Sequence, residues 1–273
     1  MALLDTVSGA DEAVPNGRIL RLLLLPIGLA LVMIALWQIL CQILHVPPIL
    51  LPPPSAVWAV LRDNYGILLN ETLPTLSESV LGFVVASVFG VAMAVALTFS
   101  PLVREALYPG IVMFQLIPKI ALAPLFIVWL GVGETTSVVV AVFIAFFPIV
   151  VSTATGLVSA KPEVLQLCKS LTASEWQVFR MVRCPYALPY IFAGMKVGVT
   201  MVMIGVVVGE FITAQHGLGY IIMFAAGAGE TATVLAAIVL LCVIGLGLYG
   251  IVGLAELFVL RLYGGESPIS GVI

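Results

Sequence analysis

Where charge is missing constrains this chain more than any motif it contains. No Asp, Glu, Lys or Arg occurs between Arg21 and Arg62, and none within residues 79–103, 135–160 or 231–255. Two further apolar runs are nearly as clean: residues 106–133 contain only Lys119, and residues 189–211 contain Lys196 near the start and Glu210 near the end. About 20 consecutive apolar residues cross the hydrocarbon core of a bilayer as one helix. With 62% of residues hydrophobic and only 9% charged, the chain has too little polar surface to enclose such runs in water. The solvent for most of the protein is lipid. The expectation is an all-α, multi-pass membrane protein with six transmembrane helices, at about Leu22–Leu44, Ser79–Val103, Ala106–Gly133, Thr135–Ala160, Pro189–Phe211 and Thr231–Ala255.

Residues 1–20 read as a tail. They carry Asp5, Asp11 and Glu12 instead of a basic leader, and the apolar run that follows exceeds the core of a signal peptide, so the first helix is expected to be retained. Orientation follows from the basic residues of the connections. With the N-terminus in the cytoplasm, Arg18, Arg21, Arg104, Lys161, Lys169, Arg180, Arg183 and Arg261 lie inside and Arg62 lies outside, which places both termini inside. No basic block points to nucleic acid. The scattered Cys41, Cys168, Cys184 and Cys242 form no disulfide framework or zinc spacing, and His45 and His216 sit in no metal motif, so no metal is expected.

Two connections are too long for turns. The outer one contains Pro47, Pro48, Pro52, Pro53 and Pro54, then Ser55 before the amphipathic Val57, Trp58, Val60 and Leu61. A serine there reads as the N-cap of a short interfacial helix that closes the bundle. The inner connection, residues 161–188, carries Pro162 and Glu163, suited to a helix first turn. Ser174-Glu175-Trp176-Gln177 then matches a capping box and opens a second helix that should end near Pro185. This helix-turn-helix offers Val164, Leu167, Leu171, Trp176, Val178, Phe179 and Val182 to a partner's groove, or else folds back on its own bundle.

The stretch Gln166–Pro189 resembles the EAA loop of permease subunits in type I ABC importers, and "SLTASEWQVFRMVRCPYALPYIFAGMKVG" is similar to the nitrate, sulfonate and taurine permease group. So are "LPPPSAVWAVL" from Leu51, "IPKIALAPLFIVWLG" from Ile117 and "GEFITAQHGLGYII" from Gly209, in that group's order. The resemblance implies a permease domain over residues 21–273 whose loop docks on a separate ATPase through Val164, Gln166, Leu167, Cys168, Leu171, Thr172, Ala173, Ser174, Trp176, Phe179 and Pro185. It implies a second permease copy, two ATPase subunits holding ATP and Mg, and a periplasmic binding protein, all at the bacterial inner membrane. Two departures matter. The motif's Glu-Ala-Ala is Gln166-Leu167-Cys168, which removes one acid from the docking surface, and its glycine is Thr172, a β-branched residue ill suited to a left-handed turn. Another turn geometry is expected there.

The chain contains no Gly-Lys dipeptide and so no Walker A loop, and no G-x-S-x-G elbow; it is read as a non-catalytic transport subunit that binds no cofactor itself. Ionisable residues at membrane depth are costly and mark candidate pathway positions. Lys119, between Pro118 and Pro124, either attracts an anionic solute, pairs with Glu210 or Glu78, or meets a second subunit. Glu210 is a gate residue or an interfacial acid, and Lys196 snorkels toward the cytoplasm. Gly194, Gly198, Gly205 and Gly209 space close packing along one helix, as Gly245, Gly247, Gly250 and Gly253 do along another. "HGLGY" from His216 reads as an outer turn. The function expected is a permease subunit passing a small polar, anionic solute; an ion-coupled secondary transporter is the alternative, disfavoured by the lack of acids in the fourth and sixth helix cores and of an internal repeat.

Overall fold

The computed structural model describes residues 16–213 and 215–262, so the acids of the N-terminal tail and the last residues of the chain lie outside the described residues. Among the described residues the chain is helical with no strand: α1 Asn16–Ile43, α2 Pro54–Asp63, α3 Tyr65–Phe99, α4 Pro101–Leu116, α5 Ala123–Leu130, α6 Glu134–Val158, α7 Pro162–Ser170, α8 Glu175–Val178, α9 Cys184–Thr213, α10 Leu218–Ala228 and α11 Thr231–Leu262. Among the described residues five helices are long and apolar enough to cross a membrane, and the bent pair α4 and α5, taken as one broken span, is a sixth.

The bundle is organised around α6 and α9, its most extensively packed pair. Without a hydrophobic drive between helices in lipid, association depends on how closely two backbones approach. Here α9 turns Gly194, Gly198, Gly205 and Gly209 toward α6, against Ser152, Ile149, Ala141 and Ser137. A Cβ at Gly209 would stand 2.5 Å from the Ser137 Cα. Gly156 of α6 makes the reciprocal approach to Tyr190, and Ser152 Oγ donates to the Tyr190 carbonyl at 2.7 Å. Helix α3 lies on this seam through Ala86, which packs with Ala141, Ala145, Ile149, Val202 and Val206. Helix α11 packs on α9 through Ile244, Leu248 and Val252. The glycines of α11 play a smaller part, since a Cβ at Gly247 or Gly250 would meet nothing.

The charge-free runs place the spans but misjudge their ends. Helix α3 begins at Tyr65, well before Ser79, because it carries Glu71 and Glu78 into the bundle; it ends at Phe99, where Ser100 accepts from the Val103 N–H and starts α4 with Pro101 in its first turn. Helix α11 runs on through Glu256 for a similar reason. Glu256 is buried and accepts from Lys196 Nζ at 2.5 Å, with that ammonium also 5.7 Å from the centre of the Tyr249 ring. Lys196 therefore locks α9 to α11 and does not snorkel, because a buried partner satisfies it more fully than distant water would. The outer connection does form a short helix, α2, whose Val57 packs with Leu68 and Ala236. Ser55 is not its N-cap. Pro53 and Pro54 supply the start, and Ser55 sits in the first turn with its N–H donating to Gln38 Oε1 (3.0 Å) while its hydroxyl accepts from Gln38 Nε2 (3.1 Å), tying α1 to α2. Helix α1 otherwise lies at the periphery, with most of its apolar side chains exposed.

Gly209→Leu should force α6 and α9 apart. Overpacking of this kind costs roughly 1–3 kcal/mol, and the expected outcome is a lowered thermal unfolding midpoint in detergent, with Gly247→Leu on the open face of α11 as the neutral control.

Candidate functional site

The connection between α6 and α9 is built as a rigid two-helix projection. Helix α7 starts at Pro162 and closes with a pair of bonds, Ala173 N–H to the Cys168 carbonyl (3.0 Å) and Thr172 N–H to the Lys169 carbonyl (3.0 Å). That is the bonding of a Schellman motif, which requires a left-handed residue at the position of Thr172. Thr172 adopts it, with φ +56°, so the expectation of another geometry there is corrected: two backbone bonds hold the turn against the steric preference of its Cβ. The capping box follows as expected. Gln177 N–H donates to Ser174 Oγ (3.3 Å) and Ser174 N–H to Gln177 Oε1 (2.8 Å), opening α8.

The second loop helix does not end near Pro185. Residues Phe179–Arg183 form a π-helical turn in which the Cys184 N–H reaches the Phe179 carbonyl, and the chain runs directly into α9 with Pro185 in its first turn. The wider turn shifts the bonding by one residue, which suits a position that lacks an N–H. Arg183 Nη1 donates to the Leu157 carbonyl at 3.5 Å, tying this turn to the end of α6.

The apolar side chains of the loop divide into two sets. Leu167, Leu171 and Trp176 are 58%, 70% and 61% exposed. Val178 and Val182 are buried, and Phe179 packs on the cluster of Ala94, Ala154, Leu157 and Ala187. The expectation that all of them are available to a partner is thus corrected: the capping box turns one face of α8 onto the bundle. Gln166 and Ser174 are exposed, and Val164, Cys168, Ala173 and Pro185 half-buried.

A second feature is the break at Ile117–Pro118, where α4 meets a 3-10 turn (Lys119–Leu122) and α5 at 92°. Pro118 ends the α4 pattern and Pro124 sits in the first turn of α5, so the two prolines make an elbow in place of the single expected helix. Lys119 lies at the elbow. Its Nζ donates to the Gln115 carbonyl at 3.4 Å and stands 5.5 Å from the centre of the Phe147 ring; among the described residues it is paired with neither Glu210 nor Glu78.

The third feature is an acid-capped helix that sequence reasoning missed. "HGLGY" is more than a turn, since α10 begins at Leu218 after Gly217 at φ +96°. Three successive N–H groups at that start find three acceptors. Gly217 N–H donates to Glu71 Oε2 (2.6 Å), Leu218 N–H to Thr75 Oγ1 (2.9 Å) and Gly219 N–H to Glu210 Oε2 (2.6 Å), while Thr75 Oγ1 donates to Glu210 Oε1 (2.6 Å). Carboxylates at the positive end of a helix are stabilised by its dipole and by charge-assisted bonds. Glu210, 1% exposed, is committed to this end. A Cβ at Gly217 or Gly219 would strike its carboxylate. The spacing of Glu71, Thr75 and Glu78 on one helix face was the available signal. His216 has Nε2 at 3.6 Å from Glu134 Oε1, where the residues before α10 meet the start of α6. Among the described residues no group of His, Cys, Asp or Glu could hold a metal ion.

A sequence profile described as binding-protein-dependent transport system inner membrane component matches residues 86–259, from α3 through α11. The chain belongs to this family. It is 35% identical to the riboflavin transport system permease protein of Chloroflexus aurantiacus over 87% of this chain and 89% of that one. It is 30% identical to the taurine transport system permease protein of Escherichia coli over 82% and 84% of the two chains. In structure it is similar to a chain of the inward-facing MetNI methionine ABC transporter, with a TM-score of 0.56, 20% identity and coverage of 70% of this chain and 96% of that one. The protein is an ABC importer permease subunit and a multi-pass membrane protein, with the fold of that class.

Two outcomes test this description of the permease. Glu210→Ala strands the Gly219 N–H and the Thr75 hydroxyl in a buried site, so stability should fall by about 3 kcal/mol, read as an earlier thermal transition in detergent, and Glu210→Gln should fall between that variant and wild type. Thr172→Gly relieves a left-handed β-branched residue at a cost of about 1–2 kcal/mol but adds chain entropy of about 0.5–1 kcal/mol. The loop of that variant should resist limited proteolysis slightly better than wild type, and Thr172→Val no better.

Proposed function

We propose that this permease docks on a cytoplasmic ATPase through residues 161–188 and forms, with a second copy, the path for a small polar, anionic solute that a periplasmic binding protein delivers. Both termini are then cytoplasmic, in the bacterial inner membrane. ATP and Mg are held by the ATPase, and this chain contributes no catalytic group and no cofactor.

The observation that carries the docking reading is the exposure of Leu167, Leu171 and Trp176 on a loop whose geometry is set by a Schellman closure, a capping box and a π-helical turn. Large apolar side chains held rigidly outside a bundle lose little entropy on docking, and a central aromatic carries a disproportionate share of the binding energy. The basic residues of the loop support the orientation. Closure of the ATPase would swing the loop and switch the two permeases between inward and outward access.

The anionic class rests on Lys119. It is a cation at an elbow of broken backbone, satisfied among the described residues by a carbonyl and a ring face. Irregular backbone at membrane depth occurs where it is buried in protein or lines a water-filled cavity, and a fixed positive charge in such a place attracts a negative solute. Riboflavin and taurine, for which the two relatives are named, are dissimilar molecules, and selectivity among solutes is assigned to the binding protein.

Trp176→Ala should weaken co-purification of the ATPase about 30-fold, the weight of a hot-spot aromatic, without disturbing the bundle. Normal co-purification would count against the docking surface. In vesicles loaded with the cognate binding protein and tested with taurine and nitrate, uptake should need ATP on the ATPase side. Lys119→Ala should lower it with the complex intact, and Lys119→Arg should lower it less. Uptake driven by a proton gradient without ATP would overturn the proposal.

A further inference from the structure

The two rings of the loop do not stand alone. Phe99, the last residue of α3, lies 4.7 Å from Phe179 and 6.3 Å from Trp176 between ring centres, and Trp176 lies 5.6 Å from Phe179 with their planes 21° apart. Three rings from two segments far apart in sequence form one stack. Phe179 roots it in the bundle, while Phe99 and Trp176 are 44% and 61% exposed, so it lies across the surface between α8 and the corner of α3 and α4. Stacked and tilted rings at these separations attract one another beyond the area they bury.

The stack reaches a part of the molecule that the loop does not reach through the chain. Covalently, the loop joins only α6 at Pro162 and α9 through the π-helical turn. Phe99 is followed at once by Ser100, the N-cap of α4, and α4 runs from there to the elbow at Ile117–Pro118. Helix α4 packs on α3 and α6 but has few buried side chains of its own, so it follows its ends more readily than the close-packed α6 and α9 pair.

We propose that Phe99 is the positioning residue through which movement of the loop is passed to the corner of α3 and α4, and along α4 to the elbow that carries Lys119. The proposal rests on the docking of the loop on an ATPase. Without Phe99 the loop still docks and still moves, but it acts on α6 and α9, to which it is joined, and touches α3 only through Phe179 at the Ala94 cluster, short of the corner with α4.

The test uses the complete complex with its ATPase, with Cys41, Cys168, Cys184 and Cys242 replaced by serine and a single reporter thiol introduced by Ile120→Cys, an exposed position in the elbow. The rate of reaction with a fluorescent maleimide is compared with and without ATP and vanadate. With Phe99 present the rate should change on trapping. Phe99→Leu, which keeps an apolar side chain but not the ring, should retain ATPase binding and hydrolysis yet shrink the change about tenfold, the weight of the two ring–ring attractions that Phe99 makes, and Phe99→Tyr should restore it. An undiminished change in Phe99→Leu overturns the proposal. So does a parent complex that binds ATPase but shows no change at the reporter thiol, and so does a Phe99→Leu complex that no longer assembles, since Phe99 would then shape the docking surface itself. A parent permease that brings down no ATPase overturns the docking reading, and this proposal with it.

Discussion

Everything else in this permease is hung on the close approach of α6 and α9. In lipid, two helices gain little by burying leucines against each other, since the surrounding tails are as apolar as the partner. They gain by van der Waals contact along backbones that touch, and the run of Gly194, Gly198, Gly205 and Gly209 against Ser152, Ile149, Ala141 and Ser137 provides that. The two helices are also the covalent supports of the connecting loop, one entering it and one leaving it. A seam that cannot slide makes the loop a projection of the bundle and not a tether.

The buried charges are economical in a way that follows from the same solvent. Each charged or polar group in the membrane needs a partner supplied by the protein, and three of the four acids in the bundle find one of stated kind. Glu71 and Glu210 accept from the first N–H groups of α10, and Glu256 accepts from Lys196. In each case the acid makes a junction other than the α6 and α9 seam: Glu71 joins α3 to the start of α10, Glu210 joins α9 to α10 and α3, and Glu256 joins α11 to α9. Glu78 is different. It is 3% exposed and, among the described residues, its nearest polar company is the Ser137 hydroxyl beside the seam, buried like it.

The six-span architecture and the capping box of Ser174 and Gln177 were legible because both are local: a span needs length without charge, and a capping box needs two residues three apart. Failures came where a tertiary partner cancelled a local rule. Treating acids as markers of water cut α3 short at Ser79, since nothing near Glu71 in sequence announces the N–H groups of Gly217 and Gly219 that donate to it and to Glu210. Lys196 looked near enough to a helix end to snorkel because Glu256 is distant along the chain. Thr172 was expected to avoid the left-handed region, yet the two bonds that close α7 outweigh the preference of a single Cβ. Which face of α8 turns inward, and hence the division between Trp176 and Phe179, depends on the cluster around Ala94 and Leu157 and could not be read from the loop alone.

These differences sort the permease into two parts of unequal stiffness. Helices α3, α6, α9, α10 and α11 share glycine seams, ion pairs and capped ends, and hold most of the buried core. Among the described residues α1, α4 and α5 have neither a close glycine contact nor an ion pair; their apolar side chains, from Leu29 and Met33 to Leu116, Val128 and Trp129, stand exposed. In a membrane such faces meet either lipid or another subunit, and they are the faces free to exchange one for the other. Lys119 belongs to this second part, held by a carbonyl and a ring in place of an ion pair. In the proposed role of Lys119, a charge that meets a passing solute and then releases it is better held weakly, outside the seam, than locked into it.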